Sequence, residues 1–193
     1  MLTPYKELLS RGRFETWTKK PDLEFLAVHQ VHGTDIVGPE TLPLEADGLV
    51  VSWEELKLPL AIKTADCMPI VIEGETGVVF VHVGWKGLAH GILETAEVHL
   101  IKPLRIFIGP SIHKCCFEVS SDFKINFPDG LFLEERNGKY FFNLQEEARS
   151  RLMKLFPQIK IEITPICTAC HSGFHSWRRD KSPERNWNLY IKG

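Results

Sequence analysis

Three short polar segments interrupt the apolar runs of the sequence, and each contains a side chain that can bind a metal ion. His32 follows an apolar segment, Cys67 lies in a polar turn, and His82 lies where an apolar run meets a predicted helix. Segment ends and turns often carry functional groups because rigid elements hold them in exposed positions. The pattern therefore indicates His32, Cys67 and His82 as candidate ligands of one site.

Two imidazoles and one thiolate are a suitable ligand set for catalytic zinc. Zinc accepts both nitrogen and sulfur, and three protein ligands leave a fourth coordination position open. Zinc in such a site lowers the pKa of bound water to about 7. The residues alone leave other interpretations open, because the three ligands are far apart in sequence. A cysteine beside Asp66 is also typical of a buried thiol or a nucleophile.

The apolar pattern predicts short strands and two helices that position these segments. The helices are predicted over 88–100 and 144–156, the second with Asn143 as N-cap and Glu146 completing a capping box. Pro157 is predicted to end the second helix. This order of elements predicts an α+β fold, a layered sandwich with mixed β-sheets. Strands are predicted at 24–29, 48–52, 60–63, 69–73, 78–83, 104–108, 140–142 and 160–163, with 187–191 closing a sheet edge.

Length and composition restrict the class of protein. The 193 residues, of which 44% are hydrophobic, predict one domain over 1–193. A formal net charge of -2 excludes a nonspecific nucleic-acid binder. With neither a signal-peptide pattern nor an apolar run of about 20 residues, we expect a cytoplasmic monomer or homodimer without a membrane partner. The odd number of cysteines favours metal binding, catalysis or burial over a disulfide framework.

Five motifs resemble the YfiH family, also called the laccase-domain or purine nucleoside phosphorylase family. They occur in the family's order from about residue 25 to the end of the chain: QVHG at 30–33, TADCMP at 64–69, HVGWKG at 82–87, IGPSI with CCFEV within 108–119, and CT with FHSWRRD within 167–180. The resemblance implies the family's layered α+β sandwich, with His32, Cys67 and His82 as zinc ligands. It also implies phosphorolysis of adenosine, inosine and methylthioadenosine, with deamination of adenosine as a second reaction.

The motifs also suggest roles for other residues in a reaction between a purine nucleoside and phosphate. Asp66 is the candidate proton shuttle or, alternatively, orients a ligand or caps the turn. Lys86, near a predicted helix N-terminus, is the candidate phosphate-binding catalytic residue. Candidate substrate contacts are Gln30, Ser176, Arg178 and Arg179. The chain departs from the resemblance at Lys86, where the family usually has arginine. A second departure is at 11–17, where a Thr-Arg-x-Gly-Gly-Val-Ser-like segment is expected, so we predict a shortened N-terminus.

The other cysteines have several interpretations. The segment 167–171 (CTACH) matches the c-type haem attachment pattern. Alternatively, Cys167 and Cys170 bind a structural zinc ion together with a nearby histidine, although the sequence indicates no clear fourth ligand. Cys115 and Cys116 are predicted to be small core residues.

Three other functions are compatible with the same residues. A copper-dependent polyphenol oxidase (laccase) requires many histidines, and the eight histidines here include no His-x-His pair. Copper nevertheless remains an alternative occupant of the site, because it exceeds zinc in intrinsic affinity. A metal-free hydrolase would use Cys67 as nucleophile and His82 as base. The third alternative is a hydrolase that edits peptidoglycan precursors.

Overall fold

The computed structural model of the chain describes residues 5–41, 44–99, 102–128 and 133–193. The α-helices are α1 (Trp85–Ala89), α2 (Ile92–His99), α3 (Leu144–Leu155) and α4 (Trp177–Asp180), and 3-10 helices cover Pro39–Thr41 and Ser121–Asn126. The strands are β1 (Tyr5–Leu8), β2 (Gly12–Trp17), β3 (Leu26–Ala27), β4 (Ile36–Val37), β5 (Gly48–Ser52), β6 (Leu60–Thr64), β7 (Met68–Gly74), β8 (Gly77–Val83), β9 (Pro103–Ile108), β10 (Glu118–Val119), β11 (Leu133–Arg136), β12 (Lys139–Phe142), β13 (Ile161–Ile163) and β14 (Asn186–Lys192).

Two large sheets and a small one organise these strands. The six-stranded sheet has the order β13-β9-β7-β8-β5-β4, the five-stranded sheet β1-β2-β14-β6-β3, and the small sheet β10-β12-β11. Both large sheets are mixed, because β13–β9, β4–β5 and β3–β6 pair in parallel while their other pairs are antiparallel. The predicted α+β fold with mixed sheets is confirmed.

The six-stranded sheet is the middle layer of the molecule. Ile70 and Ile72 of β7 face one hydrophobic cluster, to which α1, α2 and α3 contribute. Val71 faces a second cluster with Phe14 and Tyr190 of the five-stranded sheet. Strands covered on both faces have apolar residues at successive positions, and β7 and β8 are buried along their whole length. Helices, the six-stranded sheet and the five-stranded sheet therefore form three layers.

The helices differ in part from the predictions. The first predicted helix is broken into α1 and α2 at Gly91, whose φ of +87° favours glycine. Its predicted last residue, Leu100, lies outside the described residues. The Asn143 side chain accepts the Glu146 N–H at 3.3 Å, which confirms the predicted N-cap of α3. Among the described residues, no helix is both long enough and apolar enough to cross a membrane.

Long-range pairing accounts for the differences among the strands. The strand predicted at a sheet edge, β14, instead lies between β2 and β6, so that prediction is wrong. The predicted strand 24–29 forms only the two-residue β3. The sequence pattern did not predict β1 and β2. These two strands pair with each other, and β2 also pairs with β14, which is more than 160 residues away in the sequence. Pairing over such a distance leaves no strong local pattern in the sequence.

Candidate metal centre

Three candidate ligands meet at the rim shared by the two large sheets. In the β7–β8 hairpin Pro69 lies opposite His82, which brings the turn residue Cys67 close to the end of β8. His32 reaches the same place from the loop after β3. The ligand atoms of His32, Cys67 and His82 all lie within 4.8 Å of one another. The hairpin register and one loop thus gather residues that are separated by up to 50 positions.

The backbone around these ligands is unusual. His32 and Asp66 have positive φ angles of 60° and 90°, a conformation that costs non-glycine residues of the order of 1–3 kcal/mol and is concentrated at functional sites. A Cβ atom on Gly84 would lie 2.9 Å from Cys67 Sγ and 3.2 Å from His32 Nδ1. The absence of a side chain at Gly84 therefore leaves the space that the two ligands occupy.

The fully buried Asp47 accepts hydrogen bonds from the residues that carry the ligands. Its Oδ1 accepts hydrogen bonds from His82 Nδ1 at 2.6 Å and from the His32 N–H at 3.0 Å. Its Oδ2 accepts the N–H groups of Gly33 and Val31 at 2.6 and 3.2 Å. Because a carboxylate only accepts, Nδ1 of His82 carries a proton and Nε2 is left for a metal ion. Sequence reasoning missed this residue, whose one signal is an acidic group directly before a strongly apolar strand.

The charges of the centre depend on one another. Burial raises the pKa of the Cys67 thiol, but the positive charge of His82 and hydrogen bonds from both histidines outweigh it and lower the pKa to about 6. Burial lowers the pKa of His82, whereas the Cys67 thiolate and Asp47 raise it to about 9. In the metal-free chain Cys67 and His82 therefore form a thiolate–imidazolium pair.

This donor set fits zinc. Two imidazole nitrogens and one thiolate suit a borderline-soft ion and leave one position of a tetrahedron open. The Asp47–His82 hydrogen bond reproduces the carboxylate–histidine arrangement that orients metal-binding histidines and strengthens them as ligands. His32, Cys67 and His82 also line a cavity, so a metal ion held by them would lie beside space where a substrate can bind.

The cavity has a volume of about 500 Å³, within the range typical of small-molecule sites. Three aromatic side chains contribute to its wall: Trp85, Phe117 and Trp177. Four cationic side chains contribute as well: Lys63, Lys86, Arg178 and Arg185. Asp66 is the one acidic residue among the described residues of the lining. The cavity thus combines a metal-binding end with aromatic surface and an excess of positive charge.

Lys86, Arg178 and Gln30 all line this cavity, but their polar atoms differ in availability. Lys86 is the second residue of α1, is exposed, and has its Nζ 5.8 Å from the Trp85 ring centre. The Arg178 guanidinium donates to the carbonyl oxygens of residues 116 and 118. The Gln30 amide both donates to and accepts from the backbone of Lys63, at 2.7 and 2.8 Å. Of the three, Lys86 is the one whose charged group faces the cavity without such bonds among the described residues.

Asp66 is buried and already has two hydrogen-bond donors. One carboxylate oxygen accepts the Thr168 hydroxyl at 2.8 Å, and the other accepts the Arg178 N–H at 2.7 Å. These bonds tie the ligand-bearing turn to the C-terminal segment. These two bonds support a positioning role for Asp66 beside Cys67, and its role as proton shuttle stays a prediction.

Ser176 and Arg179 lie outside the cavity lining. The Ser176 hydroxyl caps α4 by accepting the Arg179 N–H at 3.2 Å. The Arg179 guanidinium donates to backbone carbonyls of residues 168, 169, 171 and 174 and pairs with Asp180. Both side chains hold the C-terminal loop together, because their polar groups are used within it. That they contact the substrate stays a prediction.

Known proteins resemble the chain over most of its length. The family model described as multi-copper polyphenol oxidoreductase laccase matches residues 9–189. A purine nucleoside phosphorylase of Aquifex aeolicus is 34% identical over 180 residues, which cover 90% of this chain and 84% of that protein. The purine nucleoside phosphorylase YfiH of Shigella flexneri is 30% identical over 171 residues, covering 82% of this chain and 70% of the relative.

Solved structures agree with this relationship. The Neisseria meningitidis protein NMB0706 superposes with a TM-score of 0.77 at 28% identity, covering 89% of this chain and 76% of that one. YlmD from Geobacillus stearothermophilus gives the same TM-score and identity, covering 87% and 73%. The resemblance to YfiH proteins is therefore confirmed. The chain belongs to the multi-copper polyphenol oxidoreductase laccase family, together with relatives that are named purine nucleoside phosphorylases.

Proposed function

We propose that this chain is a zinc-dependent purine nucleoside phosphorylase that acts on adenosine, inosine and methylthioadenosine. The observation that carries the proposal is the cavity in which aromatic and cationic side chains surround the His32–Cys67–His82 centre. Aromatic faces suit a purine ring, and cationic side chains suit phosphate. The names of the relatives support the same activity.

Lys86 is the proposed phosphate-binding residue. Neither Lys86 nor Lys63, which also lines the cavity, forms a salt bridge among the described residues, whereas five other lysines do. An ammonium group without a carboxylate partner binds phosphate as a point charge. Arg178 and Arg185 add positive charge to the lining while parts of their guanidinium groups bond to backbone carbonyls.

The metal centre has a separate proposed role. Zinc held by His32, Cys67 and His82 would supply Lewis-acid chemistry at its open position. Asp47 keeps the His82 ring in the orientation for binding, and Asp66 anchors the turn that carries Cys67. We propose adenosine deamination as a second activity of the same centre, in which water adds at C6 of the purine and the amino group leaves as ammonia.

Turnover assays with and without phosphate test these assignments. Zinc-loaded protein is incubated with each nucleoside, and free base, ribose 1-phosphate and inosine are separated by chromatography. We expect base and sugar phosphate only when phosphate is present, and inosine from adenosine without it. Lys86→Ala should raise the KM for phosphate about 10–150-fold, since a charge-assisted contact contributes about 1.5–3 kcal/mol. Lys57→Ala, at an exposed lysine outside the cavity, is the matched control.

The same preparation separates the alternative functions. Copper-dependent oxidation of phenols, with no nucleoside turnover, would support the laccase alternative. Turnover that survives metal removal but not thiol alkylation would support a cysteine hydrolase, and cleavage of a muropeptide-like substrate would support the peptidoglycan alternative. Among the described residues, the histidines contribute to one three-ligand group, whereas a multicopper centre needs many histidines. The structure therefore favours a single metal ion in this cavity.

A further inference from the structure

Four cysteines form a second cluster outside the cavity. Cys115 and Cys116 follow β9, and Cys167 and Cys170 follow β13, yet all four sulfur atoms lie within 4.8 Å of one another. Cys115 is exposed, so the prediction that it is an ordinary core residue is wrong, whereas Cys116 is half-buried and packs against the core. The adjacent pair supplies the partners that the sequence did not indicate for Cys167 and Cys170.

The spacing of the sulfur atoms matches a tetrahedral tetrathiolate site. Cys170 Sγ lies 3.3 Å from Cys116 Sγ and 3.6 Å from Cys115 Sγ. Four sulfurs bound to one zinc ion at about 2.3 Å are about 3.8 Å apart, which lies inside the observed range. A disulfide requires a sulfur separation of about 2.05 Å, and an iron–sulfur cube requires thiolates spread around an inorganic core. The observed sulfur spacing is therefore closer to that of a single tetrathiolate ion than to that of a disulfide or an iron–sulfur cube.

The backbone around Cys167 is arranged to support a thiolate. Cys167 Sγ accepts the His113 N–H at 3.4 Å, and the Cys167 carbonyl accepts the N–H groups of Cys170 and His171 at 3.2 and 3.1 Å. Hydrogen bonds to ligand atoms of this kind orient ligands around a metal ion.

Positive charge beside the cluster offsets the charge of four thiolates. The Arg179 guanidinium lies against the 167–171 turn, donating to the carbonyl oxygens of residues 168, 169 and 171. A zinc ion with four thiolates retains a net charge of about -2, which a neighbouring guanidinium stabilises.

We propose that Cys115, Cys116, Cys167 and Cys170 bind a structural zinc ion, separate from the His32–Cys67–His82 centre. Four protein ligands leave no open position, which is the structural class of zinc site. On binding, each thiol releases its proton to solvent and each sulfur donates an electron pair to zinc. The step needs neither an oxidant nor a reductant. This inference does not depend on the proposed function.

A zinc ion here would join the two loops that build one wall of the cavity. The first loop contributes Ile112, whose N–H donates to the Asp66 carbonyl, and Phe117 to the wall. The second contributes the Thr168 hydroxyl bond to the Asp66 carboxylate. Arg178 bridges the loops through the Cys116 carbonyl. Loss of this ion should loosen the wall without removing a ligand of the first centre.

Metal stoichiometry in four versions of the full chain tests the proposal. We expect about two zinc ions per wild-type chain, and about one each in Cys67→Ser and in the double variant Cys116→Ser/Cys170→Ser. His171→Ala is the matched control, because it removes a side chain from the same turn and tests the haem and histidine-ligand alternatives. This control should keep about two zinc ions. X-ray absorption at the zinc edge should report about four sulfurs per ion in Cys67→Ser.

If a variant does not fold, the number of sulfur ligands per zinc ion in the wild-type protein tests the proposal. Its zinc should have an average of about 2.5 sulfur ligands, one from the first centre and four from the second. One zinc ion with a single sulfur ligand would overturn the proposal. An intact mass lower by two hydrogens, indicating a disulfide, would overturn it as well. Tightly bound iron in place of zinc would also count against it.

Discussion

Replacing Asp47 with asparagine removes one negative charge beneath the metal centre and keeps the shape of the side chain. The carboxylate has four hydrogen-bond donors around it: His82 Nδ1 and His32 N–H on one oxygen, and the N–H groups of residues 31 and 33 on the other. An amide has one accepting oxygen and one donating NH₂ group. In either orientation, two of the four donors therefore face a group that cannot accept.

This substitution should change two measurable quantities, the zinc affinity and the free energy of unfolding. Loss of a carboxylate partner from a metal-binding histidine lowers metal affinity about 10–100-fold. A buried donor left without an acceptor costs about 1–3 kcal/mol. We therefore expect Asp47→Asn to raise the zinc Kd about 10–100-fold and, with two donors left unpaired, to lower the free energy of unfolding of the metal-free chain by about 2–6 kcal/mol.

Competition with a chromophoric chelator measures the zinc Kd, and urea unfolding in the presence of chelator measures stability. Asp35→Asn makes the same charge change at an exposed position in the neighbouring loop, and should alter either quantity by no more than about 0.5 kcal/mol. The Kd must be measured on variants that also carry Cys116→Ser/Cys170→Ser, so that one centre is titrated. A Kd for Asp47→Asn within about twofold of its parent would refute the conclusion that Asp47 orients His82.

Two further predictions concern the ligands themselves. Gly84→Ala places a methyl group 2.9 Å from Cys67 Sγ, so the zinc content of this centre should fall. The control Gly173→Ala, with no atom within 4 Å of the added carbon, should keep its zinc. Equal zinc content of the two variants by mass spectrometry would contradict the close packing at Gly84. In metal-free protein the pKa of Cys67 is about 6, so its alkylation rate should be nearly constant above neutral pH and fall below about pH 6. Peptide mass spectrometry follows the alkylation of Cys67. A midpoint of its rate near the ordinary thiol pKa of about 8.5 would exclude the thiolate–imidazolium pair of Cys67 and His82.

Local patterns in the sequence were sufficient for much of the framework. Strands β5 to β9 and helix α3 came from runs of apolar residues and from one N-cap, which report burial and termination within a few positions. Local patterns did not predict the break at Gly91 or the central position of β14 in its sheet, because both depend on what packs against each segment. The strands β1 and β2 remained hidden for the same reason.

The residue types of the candidate site were visible in the sequence, since only a few side chains bind metal ions and His32, Cys67 and His82 each follow or precede an apolar run. Their partners were not visible. Asp47 contacts them through loop geometry, and Cys115 and Cys116 reach Cys167 and Cys170 across more than 50 residues. A residue type determines which chemistry is available, but pairing between distant strands and loops determines which atoms it meets. For this reason Gln30 and Arg179, suited by type to bind a substrate, have their polar atoms used by the protein's own backbone.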